Sequence, residues 1–264
     1  MHHHLTVDRD AAQAQLLSKI EWICQTLWLA RRSEPELVQF QQERGSTGFP
    51  HYILSRAGIV PDKDWATVLY VLPPSLVDHL RPRCFALGPE DYFAACLEVG
   101  AEALRRLSPE ARPGGLRDLA RSSRPDGELP QAWFELPPGE GQHRQLLGAA
   151  MTLREARAYA HYRAASEQGL QALGLLMVTH AWEAAPDRAS DHRFFRWQDT
   201  AVAAERSALV GSGWLRESGA LTESGHSRRQ AIEAKTDAHT ERLLAQLSDV
   251  ELDQLLQELP TLVE

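Results

Sequence analysis

The stretch that decides the fold runs from Asp199 to Gly225, DTAVAAERSALVGSGWLRESGALTESG. It opens as an alanine-rich helix stopped by Gly211 and Gly213, because glycine weakens a helix interior and accepts the left-handed conformation that ends one. A four-residue reversal follows, Arg216-Glu217-Ser218-Gly219, and then Leu221-Thr222-x-x-Gly225 leads into a long polar helix. Helix, glycine stop, tight turn, helix is the order of a module that sets one helix ahead of a short hairpin. Its charge runs against groove binding. Residues 190–264 hold 8 Lys and Arg against 13 Asp and Glu, whereas phosphate neutralisation supplies most of the affinity of a DNA binder.

Outward from this module, the 264 residues carry a net charge of −8 and are 43% hydrophobic, enough for one large core or two modest ones. The charge gives no bulk attraction to nucleic acid or to an anionic membrane and favours solubility. No apolar run approaches the roughly 20 residues that span a bilayer. The start, MHHHLTVDRD, lacks the apolar core of a signal peptide, so a cytoplasmic protein with no membrane partner is expected. His2, His3 and His4 are left out of site reasoning. Cys24, Cys84 and Cys96 are odd in number, widely spaced and without a CxxC pair, which favours reduced thiols over a disulfide frame or a thiolate zinc site.

Apolar residues at Leu16, Leu17, Ile20, Ile23, Cys24 and Leu27 follow helical spacing. Ser33 with Glu36 forms a capping box for a second helix. A third, more apolar helix is expected around His51 to Ala57, short ones over Asp62–Leu72 and Pro74–Leu80, and another over Pro89–Leu107. Between Ser108 and Gln142 fall six prolines and five glycines, so a long loop, or short helices only, is expected there, with Trp133 and Phe134 pinning it to a core. A polar helix over Met151–Gln168 precedes one from Leu170 to Ala181 that is apolar nearly all round and belongs at the centre of the fold.

LREARAYAHYRAASEQGLQALGLL (Leu153 to Leu176) resembles a recurring segment of a family of actinobacterial MarR-like helix-turn-helix proteins. The matches are Leu153, Arg154, Glu155, Arg157, His161, Gly169 and Leu170; Ala156 and Ala158-Tyr159 depart from the pattern. Tyr52 with Ser55-Arg56-Ala57 is similar to a second family segment, and Gly219 to Asp237 to its wing and following helix. The resemblance covers most of the chain outside about 108–145. It implies a mainly α fold: a helical pocket domain (5–107 and 146–189), a Pro/Gly-rich loop insertion (108–145), and a C-terminal MarR-like winged-helix module (190–264) with a short two-stranded wing. It also implies a homodimer, with the leucines of Asp237–Leu259 as the pairing element.

Arg56 sits on an otherwise apolar helix, so its guanidinium must snorkel outward or meet an anion. The anion is either a bound carboxylate or phosphate, or a neighbouring acid such as Glu21. Tyr52 shares its face, with His51 beside it. Arg154, Arg157 and His161 form one stripe, which is either a solvated face or the far wall of the same pocket. In the second case Arg56, Arg157 and His51 bind the ligand, Trp28 (with Trp22) lines it, and His161 and Tyr52 are the catalytic groups, His161 exchanging a proton near neutral pH. His180 at a helix C-terminus is explained by the helix dipole, and Cys24 reads as a small buried thiol. No HxxxH or HExxH spacing supports a metal, and no cofactor is demanded.

Two functions therefore stand side by side. One is a protein that binds, and on the catalytic reading transforms, a small anionic or aromatic metabolite, as a cofactor-independent acid/base enzyme of biosynthesis, with a winged helix poorly suited to nucleic acid. The other is a ligand-responsive MarR-like transcriptional regulator, which requires folding to gather Arg193, Arg196, Arg206, Arg228 and Arg229 on one face. A scaffold without a ligand is the third, blander possibility.

Overall fold

The computed structural model describes residues 8–28, 39, 42–43, 49–70, 72–86, 88–183 and 196–260, among which twelve helices are delimited. The helix expected to open at Ser33–Glu36, the side chains of Trp28 and Cys84, and Arg193 lie outside the described residues. Two compact units form. The larger comprises Met1–Lys63, Arg83–Tyr159 and His239–Glu264, and the smaller Asp64–Pro82 and Ala160–Ala238.

In the larger unit, α1 (Arg9–Trp28) packs against α2 (Phe49–Ala57), α5 (Pro89–Leu107) and α12 (Asp249–Glu258). The expected stripe is its inner face: Leu16, Ile20, Ile23, Cys24 and Leu27 are buried. The ends of the chain are tied by hydrogen bonds as well as by packing. Ser248 and Glu251 make a capping box for α12, a device that satisfies two orphaned helix donors at once. The Arg9 guanidinium donates to the Leu244 and Leu247 carbonyls, and the Lys19 ammonium donates to those of Leu259 and Pro260. The terminal leucines Leu244, Leu252, Leu255 and Leu259 are buried within this unit.

The proline- and glycine-rich stretch folds as two short helices, α6 (Gly114–Ser123) and α7 (Glu128–Glu135), before α8 (Gln142–Glu167). Trp133 is buried as expected, while Phe134 stays 37% exposed. α6 packs on α12, where the Glu258 carboxylate accepts from the Gly115 N–H at 3.0 Å.

In the smaller unit the apolar helix α9 (Ala172–Trp182) packs against α10 (Asp199–Gly211), and Leu175, Val178, Leu209, Trp214, Leu221 and Ile232 share one core. The short α3 (Trp65–Leu69) belongs here too, capped by Asp64. α4 (Pro74–Ala86) belongs to this unit as far as Pro82 and α11 (Glu223–Leu244) as far as Ala238.

The mainly α expectation agrees with this structure, but the two-stranded wing does not form. Among the described residues the pairing reduces to a single antiparallel bridge, Leu215 with Leu221. Thr222 supplies the reason. Its hydroxyl accepts from the Gly225 N–H at 2.8 Å, and its carbonyl accepts the first helical bond, from His226 at 2.9 Å. That is an N-cap. The cap starts α11 directly after the bridge, so no second strand has room to extend.

Gly225 lies where α11 meets the turn, and a Cβ there would stand 2.2 Å from the Trp214 carbonyl oxygen. Gly225→Ala is therefore expected to destabilise the chain by about 1–3 kcal/mol, the usual cost of overpacking. A urea unfolding midpoint equal to that of the parent chain would contradict this packing.

Candidate functional site

Arg56 is 1% exposed and its anion is internal. Its Nε and Nη2 donate to the two carboxylate oxygens of Glu155, each at 2.9 Å, and Nη1 bonds the Tyr52 hydroxyl. Such a two-pronged pairing is the strongest arrangement an arginine offers. Arg154 reaches Glu155 at 2.9 Å and Glu21 at 3.5 Å, so the network alternates in charge. Burial would raise the Glu155 carboxyl, but the charges and hydrogen bonds of Arg56 and Arg154 hold it below its ordinary value. Cys24, at 0% exposure, is pushed the other way by burial and by Glu21 and stays a thiol. The acid that meets Arg56 is Glu155 rather than Glu21, and α2 and α8 are joined by it.

His51 is equally internal. Nε2 lies 3.0 Å from the Leu27 carbonyl and Nδ1 lies 2.6 Å from the Tyr92 hydroxyl. A carbonyl only accepts, so Nε2 carries the proton and Nδ1 accepts from Tyr92. Burial pushes the ring down to about 4, so it is neutral at pH 7. His161 lies in the smaller unit, where its Nδ1 is 3.1 Å from the Thr236 hydroxyl and 3.9 Å from the Glu233 carboxylate. Arg157 acts on His239, whose titration is lowered first by burial, then by Arg242, with Asp126 opposing. The structure thus joins Tyr52 with Arg56, holds His51 against α1 and α5, and places Arg157 and His161 in other surroundings. Among the described residues no three His, Cys, Asp or Glu side chains gather as a metal site.

A cavity of about 320 Å³ opens elsewhere in the larger unit, at the lower end of the range for small-molecule pockets. Leu97 of α5 and Trp133 of α7 make its apolar wall, and Arg117 and Arg121 of α6 and Arg144 of α8 are among its lining. The Trp133 indole N–H is engaged by the Arg56 carbonyl at 3.1 Å, and Phe93 meets the ring edge-on at 5.1 Å. The ring is therefore held by neighbours on the core side. The exposed Arg121, Phe134, Pro137 and Pro138 mark the mouth. Arg144, Gly148 and Thr152 are spaced four residues apart on α8 and line the same cavity. The four-residue spacing is present in the sequence, but Arg144 and Gly148 precede Met151, where the polar helix is expected to begin.

The comparisons agree with the helical architecture. A helix-turn-helix family model matches residues 18–264. The chain belongs to that helix-turn-helix family. No curated protein and no solved structure matches it. No helix among the described residues is long and apolar enough to cross a membrane.

In this helix-turn-helix protein the basic residues around the Asp199–Gly225 module are largely engaged by the chain itself. The Arg228 guanidinium stacks over the Trp214 ring at 3.9 Å and donates to the Gln168 carbonyl at 2.6 Å. Arg229 is 4% exposed and pairs with Glu233. Arg206 reaches over Gly219, so that a Cβ at that glycine would meet its Nη2 at 2.6 Å.

Two outcomes test the interior. Removing one member of the Arg56–Glu155 pair, by Arg56→Met or Glu155→Leu, should cost about 3–5 kcal/mol in urea unfolding, because the other charge is left buried. The double variant should cost less than either single one; additive losses would contradict the pairing. For His51 the folded value near 4 lies below the ordinary 6.5, so neutral burial stabilises above pH 6.5 and that contribution fades as pH falls toward 4. The share is on the order of 3 kcal/mol at pH 7. The unfolding free energy of His51→Gln should accordingly fall less between pH 6.5 and 4 than that of the parent chain.

Proposed function

We propose that this helix-turn-helix protein binds a small organic molecule in the larger unit and does not use its C-terminal module to grip DNA. The observation that carries this reading is the cavity of about 320 Å³ with an aromatic and aliphatic wall and three arginines in its lining. A concave apolar surface with a few convergent polar groups is the usual form of a ligand site. The buried Arg56–Glu155 network does not bind that ligand. It fixes the wall, since Trp133 is hydrogen-bonded to the backbone of Arg56. With His51 and Cys24 internal and His161 bonded to Thr236, the cavity lining supplies no His or Cys for acid–base or nucleophilic chemistry. Binding is therefore the function proposed, with turnover no part of it.

The second reading is a ligand-responsive DNA-binding regulator, and the family match over residues 18–264 favours it. Against it stand the acidic balance of residues 190–264 and the engagement of Arg228 and Arg229 inside the chain. A DNA binder's sequence-independent affinity comes from cations free to displace counterions.

A gel shift with duplex fragments separates the two. No retardation is expected at about 1 μM protein and 0.1 M salt, given that even nonspecific affinities of DNA binders reach only about 10⁻⁴–10⁻⁶ M. A discrete, sequence-dependent shift at nanomolar protein would establish the regulator instead.

A further inference from the structure

α8 carries a glycine, Gly148, in the interior of a 26-residue helix. Glycine there costs about 1 kcal/mol relative to alanine. Such a residue is explained when a neighbour presses so close that no side chain fits, and elsewhere in the chain this is the case: a Cβ at Gly100 would lie 3.2 Å from Leu27 and Leu147. A Cβ at Gly148 would meet nothing within 4 Å, and Gly148 lines the cavity. The bare backbone leaves open the volume that a side chain would occupy.

The chemistry around that space is uneven. Leu97, Trp133 and Ala149 are buried and apolar. Toward the mouth stand Arg117 and Arg121, one helical turn apart on α6, with Arg144 across from them on α8. Arg144 is neutralised, with Nε 2.6 Å from Glu98. Arg117 is paired more loosely: Nη1 donates to the Gln145 amide oxygen at 3.3 Å, and Nε stands 3.6 Å from the Asp118 carboxylate without a hydrogen bond, in a side chain that is 37% exposed. An occluded Nε–H that lacks a hydrogen bond is a demand that a ligand oxygen entering the cavity satisfies. Arg121 adds a second positive charge, and the only acid in the lining is Glu135, exposed at the rim.

Resting on the binding role proposed above, we infer that the ligand is an amphipathic organic anion. Its acidic head, carboxylate or phosphate, is met by Arg117 and Arg121, and its apolar body lies on Leu97 and Trp133 over the bare backbone of Gly148. A neutral apolar molecule would leave the Arg117 Nε without an acceptor. An anion without an apolar body would leave the inner wall wet. Bidentate guanidinium recognition suits both head groups, which the experiment tells apart.

The test uses the full chain with 8-anilinonaphthalene-1-sulfonate as fluorescent probe and octanoate, octyl phosphate and 1-octanol as competitors. The expected result is displacement by one or both anions at concentrations at least tenfold below that of 1-octanol, the more effective anion naming the head group. Arg117→Gln with Arg121→Gln should abolish that preference while leaving the thermal midpoint within a few degrees. Gly148→Leu should fill the cavity and remove probe binding. Equal displacement by 1-octanol, or an anion preference that survives loss of both arginines, overturns the anionic class and leaves the binding site standing. Unchanged probe binding by a folded Gly148→Leu protein overturns the binding site as well.

Discussion

The bidentate pairing of Arg56 with Glu155 is the constraint on which the larger unit depends. Both side chains are at most 2% exposed, so the Arg56 charge is tolerated because Glu155 is there, and that of Glu155 because Arg56 and Arg154 are. The pair joins α2 to α8 across 99 residues of sequence, and neither helix can slide or rotate without stranding a charge. Arg154 carries the connection on to Glu21 of α1. The cavity inherits this rigidity. Trp133, which forms part of its wall, is anchored through its indole N–H to the carbonyl of Arg56 itself, so a polar network below the pocket fixes the apolar surface within it.

Such a network is a costly way to hold helices together, since well-packed apolar residues often stabilise as much or more. What it adds here is a unique arrangement. An apolar face tolerates several rotations of one helix on another, whereas two parallel N–H···O bonds accept only one. His51 works in the same manner at smaller scale, its two ring nitrogens bridging Tyr92 of α5 and the Leu27 carbonyl of α1. Around the α1–α2–α5 contact, buried polar groups set position and the surrounding Leu and Ile side chains supply most of the burial.

The sequence disclosed helices better than partners, for a physical reason. Local spacing determines which residues share a face, so the buried stripe of α1 and the whole of Pro89–Leu107 were legible. Spacing says nothing of what lies opposite that face. It could require an anion for Arg56 and still leave a ligand and an acid such as Glu21 as candidates, without pointing to Glu155. The wing failed on a local competition: Leu221-Thr222 has strand composition, but the Thr222 hydroxyl caps α11 and so ends the pairing after one bridge. The cavity was hidden by its prolines. Pro113 precedes α6, Pro125 separates α6 from α7, Pro130 sits in the first turn of α7, and Pro137 and Pro138 follow it. Each stands where helix geometry tolerates or demands proline, so of the two expectations for this stretch, a long loop or short helices only, the prolines punctuate two short helices.

Positive charge is used differently in the two units. DNA binding needs guanidinium groups whose counterions are free to leave. Arg228 instead lies flat on Trp214 and bonds the Gln168 backbone, and Arg229 is buried against Glu233. Both hold α11 in the smaller unit. Freeing them for phosphates would uncover Trp214 and leave Glu233 without its nearest cation. Arg117 and Arg121 face no such conflict. They sit on a short helix whose packing is carried by Leu116, Leu119 and Ala120, and Arg121 is exposed while Arg117 is paired only loosely, 3.6 Å from Asp118. The cations packed into the fold at α11 and the looser pair beside the cavity are thus different residues.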